Sequence, residues 1–74
     1  MQVFNNMKNK YKFTGFINLT LNQYHDIDKV IEAYSEKQAY FLLAKELSPL
    51  VKINREQLFF QLKKSKTLKT RILK

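Results

Sequence analysis

The sequence predicts a small α+β domain of two layers, a β-β-α-β unit in which one main helix packs on a short antiparallel sheet between basic, flexible ends. Three observations lead there. Residues 11–22 alternate apolar and polar positions, the period of a strand with one covered face. Residues 35–47 carry an apolar stripe at helical spacing behind a capping signal. The positive charge gathers at the two ends of the chain. On this basis residues 1–10 read as a flexible N-terminal arm, 11–62 as a single domain and 63–74 as a basic C-terminal tail.

In the first strand, Tyr11, Phe13, Ile17, Leu19 and Leu21 alternate with Lys12, Thr14, Asn18, Thr20 and Asn22. Phe16 interrupts the polar row and Gly15 the apolar one. A glycine there predicts a bulge, or the close approach of another backbone such as the helix crossing the sheet. Residues 22–26 are polar enough for a hairpin loop. Ile27, Lys29, Ile31 and Ala33 then fit a second strand, although Ile27, Val30, Ile31 and Tyr34 also fit a helical stripe capped by Asp26. Extending that stripe past Tyr34 would bury Gln38 and Lys45, so a strand followed by a new helix is the better reading.

The main helix begins at Ser35. With Gln38 it has capping-box spacing: the hydroxyl accepts from the Gln38 amide, and the Gln38 side chain returns to the Ser35 amide. Ala39, Leu42, Leu43 and Leu47 form one stripe, with Lys37, Lys45 and Glu46 mostly off it. Pro49 is expected to end the ladder and to bias Ser48 away from helical geometry. Beyond it, Leu58, Phe60 and Leu62 alternate with Phe59, Gln61 and Lys63, which favours a third strand. Asn54 and Gln57 repeat the capping spacing, so a second short helix lined by Leu58, Phe59 and Leu62 is the competing reading. In that form residues 44–62 resemble a helix-turn-helix with an overlong turn.

Seventy-four residues allow only a small core, near the lower limit for a fold held by packing alone. Without cysteine, and with one histidine, neither a disulfide nor a Cys/His zinc site can brace it. Six Phe and four Tyr must supply the packing. No run reaches the roughly 18 apolar residues of a membrane span. Residues 1–6 lack the zones of a secretory signal. The expected location is therefore the cytoplasm or an organelle interior, with no membrane partner and no secretion.

Catalytic chemistry has little to build on. His25 beside Asp26 and Asp28 is the one candidate general base, in an expected exposed loop with no nucleophile motif near it. Asp26, Asp28 and Glu32 lack the spacing of a calcium loop, and Gly15, the sole glycine, cannot build a phosphate-cradling loop. The chain is expected not to be an enzyme and to use no cofactor or metal.

The net charge of +8 is the most informative feature. Residues 13–50 sum to −2, whereas Lys8, Lys10 and Lys12 contribute +3 and residues 52–74 contribute +7. A nearly neutral body with basic ends suits a polyanion. The function expected is a non-catalytic nucleic-acid-binding module, RNA favoured over DNA, suited to a small component of a ribonucleoprotein such as the ribosome. Its phosphate contacts would be Lys8, Lys10, Lys12, Lys52, Arg55, Lys63, Lys64, Lys66, Lys69, Arg71 and Lys74. Six such contacts in the tail would lower affinity about a thousandfold between roughly 50 and 200 mM salt. Lysine outnumbers arginine, which favours loose phosphate tracking over bidentate base reading.

Four aromatic residues are candidate partner contacts. Phe16 and Phe59 point away from the helix in the strand reading, and Tyr34 and Tyr40 lie outside the helical stripe. The competing function is a protein–protein interaction module, an accessory subunit or phage-type modulator that grips an acidic protein surface. A larger assembly or a homo-oligomer is compatible with either.

Overall fold

Strand β1 (Asn9–Thr20) is the centre of a three-stranded antiparallel sheet, with β2 (Gln23–Ala33) on one side and β3 (Leu68–Leu73) on the other. The structure is a computed structural model and describes residues 8–20 and 23–73. Residues 1–7 of the expected arm, Leu21, Asn22 and Lys74 lie outside the described residues. The expected α+β architecture is present, with three antiparallel strands, a main helix and one helix more than expected.

The alternation in β1 works as its pattern requires. Tyr11, Phe13 and Ile17 are buried on one face. In the β2 register Tyr11 faces Ile31 and Gly15 faces Ile27, so the buried residues Ile27, Ile31 and Ala33 extend the same face. Strand β2 begins earlier than expected. Gln23 to Asp26, read from composition as loop, are paired with β1, and His25 lies opposite Ile17 rather than in a turn. Cross-strand pairing takes up the backbone groups that face β1 whatever the polarity of the side chains.

Helix α1 (Glu36–Val51) starts where the cap predicts, with Ser35 Oγ accepting from the Gln38 N–H at 3.1 Å. The return bond differs: Gln38 Oε1 accepts from the Tyr34 N–H at 2.7 Å, not from Ser35. Pro49 does not end the helix, which continues to Val51. In the last turn proline deletes a single ladder bond, and both Pro49 and Lys45, whose carbonyl loses its partner, are exposed to water. Termination comes instead at Lys52, in the left-handed conformation at φ 60°, whose N–H donates to the Ser48 carbonyl at 2.8 Å.

Residues 55–64 form helix α2 (Arg55–Lys64), not the favoured strand. Asn54 caps it by accepting from the Glu56 N–H at 2.8 Å, so Gln57 plays no part in the bond. Burial explains the choice. Alternation would place Phe60 inside with Leu58 and Leu62, but a helix buries Leu58 and Leu62 one turn apart and leaves Phe60 60% exposed. The apolar stripes of α1 and α2, with Ala39, Leu43, Ala44, Leu47, Leu58 and Leu62, close the core over one face of the sheet.

The third strand is supplied by residues expected in the basic tail, β3, paired with Lys10 to Gly15 of β1. Gly15 makes this possible. Its φ of +124° is open only to glycine, and a Cβ there would overlap the Thr67 carbonyl oxygen. The predicted close approach of a second backbone is real, but the approaching segment is the entry to β3, not a helix. Phe16 N–H donates to the Thr67 carbonyl at 3.4 Å, and the Thr67 hydroxyl donates to the Phe16 carbonyl.

Candidate nucleic-acid interface

The two basic ends of the sequence are neighbours in the sheet. Lys10 is paired with Leu73, Lys12 with Arg71 and Thr14 with Lys69. By strand alternation these side chains share the face opposite the helices, and Lys10, Lys69 and Arg71 are exposed. Thr14, Lys69, Thr70 and Arg71 line a shallow depression of about 350 Å³. A second hollow, of about 290 Å³, lies at the far end of β1, where Lys64, Ser65, Lys66 and Thr67 meet Ile17 and Asn18. Gln61 lines it too, and its Oε1 is a buried acceptor without a hydrogen-bond partner among the described residues.

The uncovered face is divided by charge. Strands β1 and β3 present Lys10, Lys12, Lys69 and Arg71, whereas β2 presents Asp26, Asp28 and Glu32. The two halves touch at the ion pair between Lys12 and Asp28. The other ion pair among the described residues joins Lys29, which reaches from the covered face of β2, to Glu46 of α1 at 2.8 Å. Of the expected phosphate contacts within the described residues, Lys12 is thus the only one held by a carboxylate of the chain.

The remaining expected cations are scattered. Lys8 sits 5.4 Å from the centroid of the exposed Tyr34 ring, and Lys63 lies 5.4 Å from that of Tyr40. Lys52 and Arg55 are exposed at the junction of α1 and α2. Lys74 falls outside the described residues.

The aromatic candidates divide as well. Tyr40 is half-buried: its ring meets Phe13 edge to face at 5.1 Å, and its hydroxyl lies 2.8 Å from Thr70 Oγ1, so it ties α1 to β3. Phe59 is half-buried at the rim of the core, beside Phe41 at 6.3 Å and Phe60 at 5.7 Å. Together with Ser35, Lys37, Gln38 and Glu56 these three rings line a groove of about 510 Å³ between the helices. Phe16 stands on the uncovered sheet face with its ring centroid 5.5 Å from that of Tyr24.

Tyr24, 64% exposed, and Phe41, 44% exposed, were not singled out by the sequence pattern. Tyr24 lay in an expected loop, and Phe41 is one aromatic on a helix whose stripe lies elsewhere. The strand that displays Tyr24 also carries His25, Asp26, Asp28 and Glu32. Among the described residues no group of three His, Asp or Glu side chains is arranged to hold a metal ion, and no helix is long and apolar enough to cross a membrane.

Comparisons with family models, with characterised proteins and with solved structures give no match for this chain.

Proposed function

We propose that the protein is a non-catalytic, basic nucleic-acid-binding module, RNA favoured, that works in the cytoplasm or an organelle interior as a small component of a ribonucleoprotein. One observation carries the reading: Lys10 and Lys12 from one end of the chain and Lys69 and Arg71 from the other form one cationic patch on a sheet face that no helix covers. Four cations displacing condensed counterions give a salt slope of about −2.8 on a single strand and about −3.6 on B-form DNA. RNA is favoured because the patch lies on the open face of a three-stranded sheet, not on a helix or a two-stranded ribbon shaped to enter the major groove of DNA.

The test is fluorescence anisotropy with labelled RNA over a salt series. Binding should weaken steeply with salt and should weaken further when Lys10, Lys12, Lys69 and Arg71 are changed to Gln. Absence of binding near about 50 mM salt, where charge contacts are strongest, removes the proposal.

The groove between Phe41, Phe59 and Phe60 favours a second reading, a protein–protein interaction module. On that reading, purification from cells yields one stoichiometric protein partner that survives nuclease, and Phe59→Ser releases it. Loss of every partner after nuclease treatment decides for nucleic acid.

A further inference from the structure

Resting on the nucleic-acid reading above, we propose that the ligand is single-stranded: its phosphates follow Lys10, Lys12, Arg71 and Lys69, and a base stacks on the Phe16–Tyr24 pair. All six side chains lie on the uncovered face. Lys12 and Phe16 are four residues apart on β1, about 14 Å along the strand.

Tyr24 is free for this task where Tyr11 and Tyr40 are not. Tyr11 is buried in the core and Tyr40 is spent on Phe13 and Thr70, whereas Tyr24 is 64% exposed and, among the described aromatic rings, meets Phe16; Tyr34, 54% exposed, stands just past the other end of β2 under Lys8. The half-buried Phe16 holds the Tyr24 ring against the sheet, and a ring so held loses little freedom when a base settles on it.

Charge decides which part of the ligand lies where. Asp26, Asp28 and Glu32 make the β2 half of the face repellent to phosphate, so the backbone stays over β1 and β3. A base carries no charge and can reach across towards Tyr24 on β2. Only an unpaired base can do so, because in a duplex each base is stacked on its neighbours, and the deep, narrow major groove of A-form RNA closes its base edges to side chains.

The experiment compares one short unstructured RNA with the same RNA annealed to its complement, at about 50 mM salt. The single strand should bind more tightly. Tyr24→Ala should weaken the single strand about tenfold and leave the duplex unchanged, and Tyr24→Phe should restore wild-type affinity. Tyr24 is exposed, so Tyr24→Ala should keep the fold, which circular dichroism checks. Equal affinity for the two forms, with no effect of Tyr24→Ala but a clear effect of the Lys69→Gln/Arg71→Gln pair, overturns the stacking platform and spares the nucleic-acid reading. Inorganic polyphosphate competing as well as the RNA also overturns it. Failure of both RNA forms to bind overturns both proposals.

Discussion

Lys12 and Arg71 stand directly opposite one another on adjacent antiparallel strands, on the face of the sheet that no helix covers. Like charges in that relationship oppose folding by a few tenths of a kcal/mol, up to about 1 kcal/mol. Asp28, paired with Lys12 from the other side, offsets part of the repulsion. A cation pair kept at some expense of stability is what a phosphate-binding surface would require, because an anion arriving between the two relieves the repulsion.

Arg71→Thr should therefore separate stability from binding. Threonine suits a strand and removes the repulsion, so the urea midpoint should stay level or rise, the unfolding free energy gaining up to about 1 kcal/mol. RNA affinity should fall, and the salt slope should shrink by about 0.7 for the lost contact. A lower midpoint would show that Arg71 serves the fold instead.

Gly15→Ala tests the docking of β3. The substitution forces a side chain into φ +124° and against the Thr67 carbonyl, for a loss of roughly 2 kcal/mol or more. Hydrogen exchange should show faster exchange in β3 well before the β1–β2 hairpin is affected. Uniform acceleration along the chain would mean that β3 is not a separable unit.

The helical register of residues 55–64 is open to a paired comparison. Leu58→Ala, at a fully buried site, should lower stability by about 2–5 kcal/mol. Phe60→Ser, on the outside of α2 with its ring against Phe59, should change it by about 1 kcal/mol or less. Similar losses at both sites would restore the alternating strand.

Tyr40→Phe keeps the ring against Phe13 and deletes the hydroxyl that meets Thr70. A loss of about 1 kcal/mol is expected in urea unfolding, because the Thr70 hydroxyl is left without its partner. Tyr34→Phe, at an exposed ring, is the control and should be silent.

The parts of this fold legible in the sequence are those whose signal is local. A hydroxyl three residues before an amide it can cap sets the start of α1 at Ser35 wherever the helix packs. Alternation from Tyr11 to Ile17 marks the covered face of β1, because strand side chains must take turns between faces. The charge imbalance between body and ends is simple addition along the chain. Tertiary structure alone decided the rest. Leu58, Phe60 and Leu62 satisfy a period of two as well as Leu58 and Leu62 satisfy a helical turn, and only the presence of α1 as a lid selects the form that buries two leucines and releases a phenylalanine. Residues 68–73, half of them Lys, Arg or Thr, have too little apolar surface to announce a strand. They become one because β1 offers an unpaired edge and Gly15 lets the chain come close enough to use it. Neither the face shared by Lys12 and Arg71 nor the pairing of Phe16 with Tyr24 is legible along the chain, since each joins residues that only the register of the sheet brings together.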